Sequence, residues 1–160
     1  MGIVDLKDLE TAMGGKKRLM AIDHGTKTLG LAITDPLWTL STPLETIRRT
    51  KFSKDILKLK QIVDEFEVGG FILGLPKNMD GSEGPRCQSV RHFADNMIGK
   101  ADVLGFEPII ALWDERLSTA AVERFMIDDL DMSRAKRAQN VDRLAAHHIL
   151  QGALGRLSYL

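Results

Sequence analysis

The segment Leu19-Met20-Ala21-Ile22-Asp23-His24-Gly25-Thr26-Lys27-Thr28-Leu29-Gly30-Leu31-Ala32-Ile33-Thr34 sets the architecture. Leu19 to Ile22 is an unbroken apolar run of strand length, as expected of a strand covered on both faces. It ends at Asp23, passes through the turn residues His24 to Lys27, and resumes as a second strand from Thr28 to Thr34. The reading is a hairpin hung from a buried central strand. A third strand is expected over Trp38 to Ser41, between Asp35-Pro36 and Pro43, because a proline's missing N–H and fixed φ oppose a helix there.

Further along, Ile56, Leu57, Leu59, Ile62, Val63 and Phe66 recur at helical spacing from Ser53 and stop before Gly69-Gly70. Phe71-Ile72-Leu73 leading into Gly74-Leu75-Pro76 predicts a short buried strand, and Lys77 to Pro85 a loop. Val90, Phe93, Ala94, Met97 and Ile98 form the stripe of a second helix, which runs toward Gly105 and a strand from Pro108 to Trp113. Two closing helices are expected, one from Ser118, an N-cap candidate, to Asp129 and one from Ser133 to Leu154. The order β-β-β-α-β-α-β-α-α, with hairpins first and crossovers later, predicts an α/β fold. Hairpin adjacency and right-handed crossovers give a five-stranded mixed sheet of order 3-2-1-4-5, flanked by helices. Residues 1–17 read as a polar extension and 18–160 as a single domain.

The 160 residues are 44% hydrophobic and 28% charged, and no run approaches the roughly 20 apolar residues of a membrane span. The start of the chain lacks the apolar core of a signal peptide, so a cytoplasmic location and no membrane partner are expected. Cys87 is the single cysteine and reads as an ordinary thiol. A formal net charge of zero argues against holding nucleic acid by bulk electrostatics. Basic residues do cluster at 16–18, at Arg48, Arg49, Lys51, Lys54, Lys58 and Lys60, and at 134–137. They gain meaning only if they converge on one face.

Four acidic residues stand out. Asp23 closes a run buried on both faces, where a carboxylate is costly unless neutralised, although a turn aspartate ahead of Gly25 is common. Asp142 shares the stripe of Ala135, Ala138, Ala145, Ala146 and Ile149 on the last helix, where the ordinary alternative is a rim aspartate paired with an arginine. Asp114 and Glu115 follow a strand, and alternation allows only one of them to point where Asp23 does. Carboxylates from separate elements converging on a cleft suit Mg²⁺ or Mn²⁺, which take hard oxygen ligands and leave positions open for water and a phosphate oxygen. Such sites perform phosphodiester chemistry without a protein nucleophile. His147-His148 lacks a spaced metal partner.

These residues resemble the YqgF/RuvX family of Holliday-junction-resolvase-like proteins and pre-16S ribosomal RNA nucleases. The resemblance rests on residues 22–27, on Gly74-Leu75-Pro76 with Asn78 to Ser82, on residues 114–119, and on Asp142 to Ala146. It implies an RNase H-like fold and a nuclease whose catalytic residues are Asp23, Asp114, Glu115 and Asp142, with Asp23, Asp114 and Asp142 as metal ligands. Thr28 stands where the family usually has arginine, which bears on one phosphate contact. Lys27, Arg116, Gly74 and Asn78 are candidates to receive the substrate phosphate: the two cations by charge, Gly74 by leaving room at the backbone, and Asn78 from a loop expected to be mobile until substrate arrives. The expected partner is nucleic acid, either pre-rRNA in a ribosome precursor or branched DNA, bound by a monomer or a homodimer. Two rivals are an ATPase of the actin and Hsp70 type, whose phosphate hairpin looks similar but which needs a second domain, and a non-catalytic ribosome assembly factor.

Overall fold

A computed structural model describes residues 2–117 and 134–160, with side chains over 2–116 and 143–160. The strands are β1 (Arg18–His24), β2 (Thr28–Thr34), β3 (Ser41–Arg48), β4 (Val68–Leu75) and β5 (Ile110–Asp114). The helices are α1 (Leu9–Met13), α2 (Phe52–Phe66), α3 (Pro85–Ile98), α4 (Ala101–Leu104) and α5 (Arg134–Leu157). The helix expected over 118–129 lies outside the described residues. The sheet order is β3-β2-β1-β4-β5, as the hairpin and crossover arguments require. β1 pairs antiparallel with β2 and parallel with β4, and β4 pairs parallel with β5.

Three elements depart from the sequence reading. The third strand begins at Ser41, not Trp38, and runs to Arg48 through Pro43. Residues 35–40 are used by a turn instead: the Asp35 carboxylate accepts from the Thr39 and Leu40 amides at 2.7 and 2.8 Å, and Trp38 adopts φ 63°. Pro43 is tolerated because β3 is an edge strand, where an N–H need not join a ladder. Gly69 and Gly70 lie inside β4, and the turn that ends α2 is made by Glu67 at φ 55°. A Cβ on Gly70 would lie 2.6 Å from the Met13 sulfur, so this glycine lets α1 approach the sheet. The polar leader is also more structured than its composition suggests. Leu9 and Met13 are buried, and Gly2 to Val4 bond along β5 at Ile110, covering an otherwise open sheet edge.

The two sides of the sheet carry different cores. Met20, Ile22, Phe71, Leu73 and Ile110 pack under α2 and α3 with Ile56, Leu59, Val90, Phe93 and Met97. Truncating Phe71, which is fully buried, would cost about 3–5 kcal/mol. The opposite side is built of Ala21, Ala32, Ala111, Ala146 and Ala153 with Leu19, Ile72, Ile149 and Leu150, so α5 comes close to the strands. Among the described residues no helix is long and apolar enough to cross a membrane.

Candidate active site

β1, β4 and β5 run parallel and end at the same margin of the sheet, where open α/β folds bind their ligands. Ile22 pairs with Leu73 and Gly74 with Trp113, so Asp23 and Gly74 leave the sheet side by side. Alternation sends Asp23, after Leu19 and Ala21, to the α5 side, where it is half-buried. His24 goes to the other side.

The same alternation separates the acidic pair. Ile110 and Leu112 belong to the α2/α3 side, and Asp114 follows them; Ala111 and Trp113 belong to the α5 side, and Glu115 continues there. A Cβ on Gly74 would collide with the Glu115 carboxylate and with the Ile149 side chain. Gly74 thus provides the space that Glu115 fills, rather than standing open for a phosphate. Asp142 lies within α5, four residues before Ala146 and seven before Ile149, and its side chain is outside the described residues. Among the described residues no three metal-binding side chains cluster, and Asp23 and Glu115 are the two acids placed on the α5 side of this margin.

Asp114 has a different occupation. It takes the Arg116 guanidinium through Nε at 3.0 Å and Nη2 at 2.6 Å, and this charge-assisted fork holds its carboxyl below the usual aspartate range while raising Arg116. The Nη1 of Arg116 reaches the Met79 carbonyl at 3.4 Å. Arg116 therefore reaches from the acidic pair to the 77–84 loop. That loop is folded on itself: Asn78 donates its amide to Ser82 Oγ at 3.0 Å, and Ser82 donates its backbone N–H and its hydroxyl to Asp80 at 2.9 and 2.6 Å. Lys27 is exposed on the β1–β2 turn.

Two arginines that sequence reasoning missed hold this turn. Arg49 donates Nη1 to the Gly25 carbonyl at 2.6 Å, and Arg86, at the start of α3, donates Nη2 to the His24 carbonyl at 3.1 Å. Arg49 belonged to a basic cluster visible in the sequence, whereas nothing local marks Arg86. The His24 ring lies 4.8 Å from that of Phe93, and burial, then the charges of Arg49 and Arg86, lower its pKa to about 4. His147 accepts from or donates to the Ser41 hydroxyl through Nδ1 at 2.8 Å, so it joins α5 to the edge strand and takes no part at the acidic margin. Cys87 is buried in α3, which pushes its thiol up.

Donor chemistry fits a hard divalent cation: two carboxylates on one side of the sheet, around a glycine without a side chain to obstruct them.

Comparison with known proteins bears on the family and the fold. Residues 17–156 match the family model described as RuvX: Holliday junction resolvase. A relative from Rhodospirillum centenum, named a pre-16S rRNA nuclease, is 50% identical over 98% of this chain and 83% of its own length. One from Beijerinckia indica with the same name is 51% identical over 99% of this chain and 92% of its own. The structure of T. thermophilus RuvC in complex with a Holliday junction substrate superposes with a TM-score of 0.50 at 14% identity, covering 88% of this chain and 95% of that one. The sheet and helices thus form an RNase H-like fold, and the chain belongs to the RuvX Holliday junction resolvase family.

Proposed function

We propose that this chain is a divalent-metal-dependent nuclease that hydrolyses phosphodiester bonds during 5′-end processing of pre-16S rRNA. The observation that carries the reading is the placement of Glu115 against Gly74, beside Asp23, at the carboxyl margin of the parallel strands. Asp23, Glu115 and Asp142 would hold Mg²⁺ or Mn²⁺. Of the acidic pair, Glu115 rather than Asp114 is the ligand, because it shares the side of Asp23. When bound, the metal supplies activation of the attacking water and stabilisation of the leaving oxygen.

The chain's own residues have separate tasks. Asp23 and Glu115 offer carboxylate oxygens, the donors a hard ion takes. Asp114 acts as a positioning residue: by gripping Arg116 on two nitrogens it leaves Nη1 turned toward the 77–84 loop, where a strand would pass. Lys27 offers an exposed ammonium to the phosphate chain from the hairpin. Substrate choice follows the names of the relatives, which favour pre-rRNA. The family description favours a four-way DNA junction as the second reading.

The test is cleavage of end-labelled pre-16S RNA and of a synthetic four-way DNA junction, with Mg²⁺, Mn²⁺ or EDTA, by wild type and Asp23→Asn. Metal-dependent cutting of the RNA that Asp23→Asn loses by on the order of 10³-fold is the expected result. Junction cutting alone would replace the substrate. Binding of RNA without cutting, equal in both proteins, would overturn the nuclease in favour of an assembly factor.

A further inference from the structure

We propose that Arg49 and Arg86 form a second phosphate subsite at the β1–β2 turn, gripping the nucleic-acid backbone beside the Asp23–Glu115 site. The proposal rests on the nuclease reading above. The described cations differ in their partners. Arg91 is forked on Glu83 at 2.7 Å, Arg116 on Asp114, and Lys60 on Asp64 at 3.0 Å, so each is neutralised by a carboxylate. Arg49 and Arg86 have no carboxylate within salt-bridge distance among the described residues.

Both are nonetheless held in place. Arg49 comes from the residue after β3 and donates its backbone N–H to Lys27 O at 2.8 Å and its Nη1 to Gly25 O at 2.6 Å and Thr26 O at 3.4 Å. Arg86 comes from the first turn of α3 and donates Nη2 to His24 O at 3.1 Å. Anchors on the consecutive residues His24 and Gly25 place two guanidiniums from distant segments at one turn, where both act on the His24 ring. Each uses a single terminal nitrogen of its side chain for anchoring, and the rest of its N–H fork makes no bond among the described residues. Exposed Lys27 on the turn and exposed Arg48, paired with Thr28 across the ribbon, add two cations at the same end of the hairpin. Fixed, planar, uncompensated guanidiniums bind phosphate with little further loss of entropy. A formally neutral protein needs such a local gathering of cations to hold a polyanion.

The experiment measures binding of a fluorescein-labelled RNA hairpin with a single-stranded tail, in EDTA, over a series of salt concentrations. It compares wild type, Arg86→Gln, Arg49→Gln, the double variant, and the two Arg→Lys variants. Each phosphate that a variant no longer neutralises lowers the slope of log K against log[salt] by about 0.7–0.9. The expected result is that decrement for each Gln variant, about twice that in the double variant, and a slope restored by lysine, which keeps charge while losing the fork. Rescue by lysine separates charge from any disturbance of the turn, and Arg86→Gln, at an exposed residue, repeats the test independently of Arg49. Unchanged slopes in a protein whose wild type cuts RNA would overturn the subsite and leave the nuclease standing. Failure of wild type to bind the RNA would overturn the subsite, while the nuclease reading stands or falls on the metal-dependent cleavage assay.

Discussion

Asp23 and His24 are neighbours on one strand and lead opposite lives. Asp23 leaves the sheet toward α5, over a layer of alanines where Gly74 makes room for a second carboxylate. His24 leaves it toward α3, onto Phe93, in the layer of large side chains. The side with small residues lets a helix come close and gather charge at the strand ends; the side with large residues supplies the burial that holds the strands in register. Asp114 and Glu115 repeat the division one pair of strands away, with Glu115 on the side of Asp23 and Asp114 tied to Arg116.

The largest effect should come from altering the two members of that acidic pair in turn. Glu115→Gln is expected to lower kcat by on the order of 10³-fold, as loss of a group acting directly on the reacting centre does. Asp114→Asn weakens the hold on Arg116 and should cost about 10–100-fold, as removal of a supporting partner does. Single-turnover cleavage with saturating Mn²⁺ reads both. An Asp114 variant as inactive as the Glu115 one, with RNA affinity intact, would reverse the assignment of sides.

Gly74→Ala tests the small side by geometry alone. Its Cβ would collide with the ends of the Glu115 and Ile149 side chains, so the Glu115 carboxylate would have to leave its place against Gly74. We expect destabilisation of about 1–3 kcal/mol in urea unfolding, as for other overpacked sites, together with weakened Mn²⁺ binding by calorimetry. Stability and metal affinity both equal to wild type would mean that Glu115 has room elsewhere.

Much of this is legible in the chain itself. The apolar run ending at Asp23 places the central strand, and hairpin adjacency with right-handed crossovers fixes the sheet order. Alternation requires that Asp114 and Glu115 part, but not which one joins Asp23, because β5 is apolar on both faces, with Ile110 and Leu112 on one and Ala111 and Trp113 on the other, and no pattern says which face meets α5. Pro43 misleads because a proline reads as a strand boundary unless the strand is known to be at the edge. Gly69-Gly70 misleads because a close approach by α1 and a turn demand the same residue. Arg86 is invisible: its contact with His24 spans 62 residues, and no local pattern records it.

The large side is tested most gently through His24, which is 6% exposed and held near pKa 4 by burial and then by Arg49 and Arg86. An unfolded histidine titrates near 6.5. Above about pH 6.5 the ring is neutral in both states and its contribution to stability is complete. Between about 6.5 and 4 the unfolded chain binds a proton that the native ring refuses, so stability falls with falling pH, and below about 4 the dependence ends. The slope cannot exceed one proton, about 1.4 kcal/mol per pH unit. His24→Phe keeps an aromatic against Phe93 and removes that proton site. Urea midpoints measured in EDTA from about pH 7.5 to about 4.5 should therefore decline less steeply in the variant than in wild type, the curves diverging as acid is added. His147 and His148, lowered by burial, titrate in both proteins and cancel in the comparison. Parallel curves would show that a charged ring is accommodated on the large side, and would remove the distinction between the two neighbours on β1.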